Sequence, residues 1–447
     1  MSAHKTHDRH TPGGLPSGAP LTPALQTLAF WRNPHVYLEW CRRRYGSTFT
    51  INPLGKPPLV FMSRPSDIKA IVKAPAEILY PGAGGSVVAP LVGADSFMIA
   101  EEDAHLTGRR SILPAFHRRL IDQHAEKVRE IATREVSSWP LDTPVRLHAH
   151  LRALTLRVIL FEIFGAEDER VKELHTALLA MFSITGSLVL QEPQLRLLPG
   201  WRASWKRFIA SRECVERLLT SLITQAPDAE APARGILAAL QGSEAQKSDG
   251  SAIERIRETL MSLILAGHET TAGELAWAFQ LLAHNPAVAG RLHDDLDAGR
   301  DQYLEAVVHE VLRHRPVFLF TIPRAVQRPF EIAATTYHPP AQLVGCVHLM
   351  HHDPATYRHP HSFKPERFLE HPPEPGTWMP WGGGRKRCPG HHLALLEMKI
   401  VLQAVLSRHD VRPASPRLET ARWRSVIVTP QEGCRVVLRR RLRDRDS

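Results

Sequence analysis

Apolar residues recur at helical spacing through most of the chain between about residues 100 and 315. Residues 147–164, 174–190 and 201–224 each read as helices with a buried face. The longest run covers residues 251–285, with Ile256, Leu260, Leu263, Leu275, Phe279 and Leu282 in register, and Asn285-Pro286 stops it. At 1.5 Å per residue such a helix spans roughly 50 Å, the width of a large domain. Further helices are predicted over residues 301–314 and 391–408. Alternation replaces the helical period at Thr48–Asn52 and Leu59–Met62, which read as strands, and at 422–438, which reads as a hairpin turning around Pro430–Gly433. Between residues 316 and 371 Pro and His are dense and periodicity is weak. The pattern is that of a mainly α protein with small β-sheets. Residues 1–20, polar and rich in Pro and Gly, are expected to be a disordered leader. Residues 21–438 are expected to form a single domain, and residues 439–447 a solvated basic tail.

Composition narrows this little. The chain has 447 residues, 43% hydrophobic and 23% charged, which excludes a wholly disordered chain and a bundle of membrane helices. The start lacks the apolar region of a signal peptide, so no leader of that kind and no membrane anchor is expected. The uncharged stretch 174–191 contains Thr176, Ser183, Thr185 and Ser187 and is short for a membrane span. Five cysteines stand far apart with no C-x-x-C pair. That argues against a disulfide framework or zinc ribbon and fits a reducing cytoplasm. The net charge of +10 calls for an anionic partner of some kind.

The middle of the long helix departs from its own pattern. Where a helix crossing a domain should be apolar, the chain reads Ala266-Gly267-His268-Glu269-Thr270-Thr271. Gly267 weakens a helix, and a Thr hydroxyl can bond the carbonyl one turn back and bend it. Ala266 and Gly267 let a flat group approach the backbone. Two readings stand: a helix that surfaces in mid-course, or a carboxylate and an alcohol at a bend that deliver protons into a cavity. On the helix 301–314, Glu310 and Arg313 face one another at i, i+3. Arg367, between apolar residues in Phe363-Lys364-Pro365-Glu366-Arg367-Phe368, can join them and lock that loop to the helix, an architectural role.

The turn at 377–390 reads TWMPWGGGRKRCPG. Its glycines let backbone N–H groups point at the Cys388 sulfur, and the helix that follows presents its positive end. Arg385, Lys386 and Arg387 add charge. All three effects are expected to favour thiolate over thiol. A lone thiolate so held is an axial metal ligand or a nucleophile. His391 and His392 are expected to point along the helix flank. The cluster His351-His352-Asp353 offers metal donors, but no spacing matches a zinc pattern.

W-G-G-G-R-K-R-C-P-G resembles the cysteine ligand loop of the cytochromes P450, the haem-thiolate monooxygenases. E-V-L-R at Glu310–Arg313 resembles their E-x-x-R motif, Lys364–Phe368 the segment that supplies Arg367 to that cluster, and Ala266–Thr271 their oxygen-activation motif. The four occur in order, and the likeness covers about residues 23–438. It implies the cytochrome P450 fold, with the long central helix over a buried haem b. It makes Cys388 the proximal ligand of the haem iron, a thiolate that favours O–O cleavage. Glu269 and Thr270 match the catalytic acid–alcohol pair that relays protons to bound oxygen. His105 and Arg109, in a stretch resembling H-x-x-x-R, together with Arg324 and Lys386, are the implied partners of the haem propionates. Trp381, Gly384 and Ala266 are further implied cofactor contacts. The family more often has Phe at Trp381, and Arg or His at Lys386, where Lys keeps the charge but loses the guanidinium fork.

The resemblance further implies a cytoplasmic oxidoreductase that consumes two electrons and O2, placing one oxygen atom in its substrate and releasing the other as water. The sequence shows no flavin or iron–sulfur motif, so electrons are expected from a separate ferredoxin- or flavodoxin-type carrier and its reductase. Arg109, Arg110, Arg118, Arg119 and Arg385 are expected to form the basic face for it, rather than a nucleic-acid surface. By family analogy Val87, Phe97, Phe182, Leu263, Val317, Phe318, Phe320 and Ile427 line the pocket, which favours a lipophilic small molecule such as a natural-product intermediate awaiting a tailoring step. Oxidative coupling, peroxide-dependent oxidation and a haem-binding sensor without turnover are the alternatives. A cysteine-nucleophile hydrolase would lack a base.

Overall fold

The computed structural model describes residues 14–81, 88–93, 96–100, 102–185, 199–225, 235–244 and 251–441. Its longest helix, Ala252–His284, ends where the sequence says it should. Asn285 leaves helical geometry, and Pro286 opens the next helix, Pro286–Asp297, where its missing N–H costs nothing. From Thr271 to Ala283 every residue of the long helix is buried. Helix Leu147–Phe164 packs along it. A Cβ on Gly267 would lie 3.0 Å from the Ile159 side chain, so this glycine lets the neighbouring helix approach closely. The Thr270 hydroxyl donates to the Ala266 carbonyl at 2.5 Å without interrupting the α-helix.

Two apolar clusters meet at the middle of this helix. One gathers its first half, to Ile264, with helices Leu147–Phe164, Glu169–Thr185 and Pro199–Thr224. The other gathers its second half, from Ala272, with helices Gln302–His314 and His391–Leu406. The polar segment 266–271 therefore sits at the seam between two cores. Helix Glu169–Thr185 begins earlier than periodicity suggests because Asp168 Oδ1 accepts the Val171 N–H at 2.9 Å.

The strands are Thr48–Ile51 (β1), Leu59–Met62 (β2), Leu79–Tyr80 (β3), Pro144–Arg146 (β4), Arg324–Val326 (β5), Phe330–Ile332 (β6), Thr335–Tyr337 (β7), Gln342–Gly345 (β8), His409–Pro413 (β9), Ala421–Arg424 (β10), Ile427–Pro430 (β11) and Arg435–Arg440 (β12). One sheet runs β1-β2-β8-β5-β3, another β4-β12-β9, and β6-β7 and β10-β11 are hairpins. Phe49 and Phe61, paired across β1 and β2, stack at 5.6 Å. Trp277 of the long helix donates to the Val428 carbonyl at 3.0 Å, which fixes β11 against it.

Three expectations change. The last hairpin turns at Ser425-Val426, between β10 and β11, and not around Pro430–Gly433. The chain after Gly433 leaves to pair with β9 and β4, and alternation alone does not name a strand's partner. Residues 14–20, part of the expected leader, lie on the first sheet. Gly18 bridges Thr50, and Gln26 Nε2 donates to the Ala19 carbonyl at 3.1 Å. Composition did not betray these backbone bonds. Arg439 and Arg440 belong to β12, and Arg441 pairs with Asp297 at 2.6 Å, so the expected tail is held as far as Arg441. No helix among the described residues is long and apolar enough to cross a membrane.

Candidate active site

The cysteine turn is closed by its own backbone. The Cys388 N–H donates to the Trp381 carbonyl at 2.9 Å, just before helix His391–Leu406. Gly384 has φ +63°, and a Cβ there would collide with the Val72 carbonyl. Its lack of a side chain therefore serves packing of the turn on helix Pro65–Lys73. Trp381 is half-buried, its ring 6.3 Å from that of His391.

The charge at the sulfur differs from the expectation. Burial raises the Cys388 thiol above its ordinary pKa, and the Gly390 N–H, Arg109 and Arg387 only reduce that rise. The Lys386 ammonium is turned to the Met98 and Ala100 carbonyls, to which it donates at 3.3 and 3.4 Å. The surroundings alone leave a thiol, so a metal cation at the sulfur is what would make it a thiolate. The His391 ring lies 3.2 Å from the Cys388 carbonyl, not on the sulfur. Among the described residues no histidine is hydrogen-bonded to that sulfur, which removes the base a nucleophile needs.

Four basic residues named from the sequence lie on or beside this turn. His105 and Arg109 share a face of helix Glu102–Ile112. The His105 ring nitrogens lie 2.7 Å from the Phe97 carbonyl and 3.4 Å from that of Arg385. Arg109 donates to the Arg387 carbonyl at 2.6 Å. Arg324, on β5, donates to the Ala74 and Val72 carbonyls at 3.3 and 3.4 Å, beside the segment on which Gly384 packs. Lys386 ties the turn to the segment just before the His105 helix.

On the central helix, Ala266 is exposed and Thr270 half-buried, one turn apart on one side. They lie just before the fully buried stretch Thr271–Ala283, and the surface they expose leaves room for a ligand there. Glu269 is engaged away from this surface by two arginines. Its Oε1 lies 2.6 Å from Arg152 of helix Leu147–Phe164, and its Oε2 lies 3.4 Å from Arg424 of β10. Burial opposes its ionisation, but His268, Arg152 and Arg424 outweigh burial and hold its carboxyl at about 2. His268 is itself brought down to about 4, by burial first, and is neutral near pH 7, so the arginines are the lasting charges there. The sequence reading missed both arginines. The available signal was Arg152 itself, a cation inside an otherwise apolar helical run.

The proposed pocket residues divide. Val87 lies outside the described residues. Val317 and Ile427 meet beside Gly273, one turn beyond Thr270, and Leu263 is buried on the same helix. Phe97 packs against Gly108 and the His105 ring, and Phe318 is exposed. Phe182 has no exposed surface and stacks on His268 at 4.6 Å, on the side of the helix away from Ala266. Phe320 packs among Phe30, Phe61 and Trp423. Phe182 is a core side chain and Phe320 a half-buried one packed against the core, and apolar composition alone does not separate a pocket wall from a core.

Glu310, Arg313 and Arg367 form the expected cluster. Arg313 grips Glu310 with two bonds of 2.7 and 2.9 Å, and Arg367 Nε reaches Glu310 at 3.1 Å. Arg313 also donates to the His351 and Pro360 carbonyls at 2.7 and 2.9 Å, which ties the loop to the helix.

A half-buried thiol, basic side chains on and beside its turn, and the exposed surface of Ala266 fit a planar, metal-bearing group with anionic side chains. Comparison with known proteins agrees. The family model described as Cytochrome P450 matches residues 12–437. A putative cytochrome P450 135B1 of Mycobacterium tuberculosis is 30% identical over 436 residues, covering 95% of this chain and 92% of the relative. A putative cytochrome P450 135A1 of the same organism is 30% identical over 438 residues, covering 96% of each. Among solved structures, the cytochrome P450DA heme domain has a TM-score of 0.82 at 19% identity, covering 95% of this chain and 97% of that one. A retinoic acid-bound cyanobacterial CYP120A1 has a TM-score of 0.81 at 20% identity, covering 96% and 99%.

Proposed function

The chain belongs to the cytochrome P450 family, and on that premise we propose that Cys388 is the axial ligand of its haem iron. The family's members are haem-thiolate monooxygenases, so the chain is an oxidoreductase with a cysteine-ligated haem. Bound haem supplies oxygen activation and the transfer of one oxygen atom. The observation that carries the assignment of Cys388 is the placement of His105, Arg109, Arg324 and Lys386 on or beside its turn.

In this reading those four residues hold the haem carboxylates, and Ala266 leaves room on the opposite wall. Trp381 supports the turn through its carbonyl. Thr270 moves a proton at its Oγ1, giving up its bond to the Ala266 carbonyl to do so. Glu269 supplies a proton only when it parts from Arg152 or Arg424.

The substrate is a lipophilic small molecule, placed by Phe97, Leu263, Val317, Phe318 and Ile427, and its oxidation is a tailoring step in natural-product chemistry. The retinoic acid bound to the cyanobacterial CYP120A1, a fold neighbour, is a ligand of that class. Electrons come from a separate acidic ferredoxin- or flavodoxin-type carrier with its own reductase. Arg110, Arg118, Arg119 and Arg385 are exposed and offer it a basic face.

The test is the absorption spectrum of the reduced protein with carbon monoxide, for wild type and Cys388→Ser. A strongly red-shifted Soret band in wild type, lost in the variant, is expected. A band that survives the substitution would reject Cys388 as the ligand.

A further inference from the structure

Away from the cysteine turn, a carboxylate and two imidazoles from distant parts of the chain come together. One ligand atom each from Glu39, His348 and His352 lies within 4.8 Å of the others. We propose that Glu39, His348 and His352 form a second metal site, for a divalent transition metal of the zinc class.

His348 and His352 stand four residues apart on and just beyond the short helix Val347–His351, so they share a face. Glu39 comes from helix Pro34–Tyr45. The His352 Nδ1–H donates to the His348 carbonyl at 2.9 Å, since a carbonyl can only accept. That bond fixes the tautomer and leaves Nε2 with its lone pair, as in imidazoles that bind metals. His348 is 2% exposed, yet neither of its ring nitrogens makes a hydrogen bond. Its Nε2 stands 3.5 Å from Glu39 Oε1, which is itself buried and without one. An imidazole buried in this way is costly unless another partner takes its lone pair. The His35 ring packs against that of His348 with centroids 4.4 Å apart, which holds the His348 imidazole in place.

The chemistry of the set selects the metal. Two imidazoles and a carboxylate are the ligands of zinc sites that keep an open position. Nitrogen donors prefer zinc, copper or nickel to magnesium or calcium. Bonds of about 2.0–2.1 Å in tetrahedral zinc bring ligand atoms to about 3.4 Å apart, so the three side chains close in by about an ångström.

The surrounding charges do not forbid a cation. Arg42 is matched by Asp353 at 3.1 Å, and Arg313 by Glu310 at 2.7 Å. Arg315, over the Trp277 ring, opposes a cation, and Glu39 is the carboxylate that offsets it. A cavity of about 680 Å³, bounded also by Asn33, Arg43 and His361, gives a path in.

The test uses full-length, haem-loaded protein stripped with a chelator, given zinc chloride and desalted. Zinc and iron are then measured by elemental analysis, with affinity from competition against a chromophoric chelator. One retained zinc per chain is expected. His352→Gln and Glu39→Gln should each weaken it by at least about 100-fold, since losing even an outer-shell partner costs 10–100-fold. Zinc should also raise the melting temperature of wild type but not of either variant. Should His352→Gln fail to fold, judged by its haem spectrum, the Glu39→Gln result decides. No retained zinc in wild type, or zinc held equally well by the variants, would overturn the proposal.

Discussion

Glu269 and Arg152 form a buried ion pair at 2.6 Å beside Thr270, with Arg424 3.4 Å from the other carboxylate oxygen. The pair joins the central helix to helix Leu147–Phe164. Glu269→Gln should leave both guanidinium groups without their counter-charge. The expected cost is about 3 kcal/mol, the lower end for breaking a buried pair, because Arg424 is partly exposed. Urea denaturation followed by the haem band and by far-ultraviolet dichroism measures it, and a loss under about 1 kcal/mol would contradict a buried pair. The sign with pH follows from the depressed carboxyl. With a folded pKa of about 2 against an ordinary 4.5, this stabilisation is complete above pH 4.5 and is lost as pH falls toward 2.

Thr270 stands apart from that network, on the side of Ala266, and a change there should alter proton delivery while sparing the fold. Thr270→Ala is expected to cut product formed with NAD(P)H, reductase and carrier by at least about tenfold, at the lower end of what a positioned proton donor contributes. Reducing equivalents should appear as hydrogen peroxide instead. Product formed with added peroxide should persist. Unchanged coupling of electron consumption to product would remove Thr270 from the proton path.

One turn further along the same helix, Glu274 is buried with a single hydrogen bond, accepting the Val317 N–H at 2.9 Å. Burial pushes its carboxyl up to about 8, against only a partial offset from that bond. The folded protein thus keeps a proton that the unfolded chain gives up near 4.5, so stability falls as pH rises from about 4.5 to about 8. Glu274→Gln keeps an acceptor for Val317 and carries no charge. It should flatten this slope and raise the melting temperature at pH 8 by about 2 °C or more. Thermal melts of both proteins at pH 5 and pH 8 decide it, and equal slopes would mean Glu274 is ionised in the folded state.

The sequence exposed those parts of the fold and site that rest on local periodicity or a short motif. The central helix was found to within a residue at each end, because its apolar spacing and Asn285-Pro286 are local signals. The Glu310–Arg313 pair was legible for the same reason, at i, i+3 on one helix. What stayed hidden depends on chain segments that meet only after folding. Arg424 reaches Glu269 from a β-hairpin, and Glu39 reaches His348 from the first part of the chain. At the Cys388 thiol, burial opposes the flanking charges, and burial is not visible in a sequence. The sequence did not show that Val72 and Ile159 pack where side chains on Gly384 and Gly267 would stand.

The Glu310 cluster offers a last test, one that separates charge from geometry. Arg313 makes four short bonds at once, two to Glu310 and two to the carbonyls of His351 and Pro360, and neither it nor Glu310 has exposed surface. A lysine keeps the charge but cannot offer a planar fork, so Arg313→Lys leaves buried acceptors unpaired. The expected loss is about 3–5 kcal/mol, as for breaking a buried pair. Arg367→Lys should cost less, because that side chain is 12% exposed and water can replace part of its bonding. Since Arg313 and His351 connect this cluster to Met379, whose N–H donates to the His351 ring at 2.9 Å, the damage should reach the cysteine turn. Haem retention after gel filtration and urea midpoints for both variants should rank wild type above Arg367→Lys and Arg367→Lys above Arg313→Lys. A loss under about 1 kcal/mol in Arg313→Lys would mean that charge, and not the guanidinium fork, holds the loop.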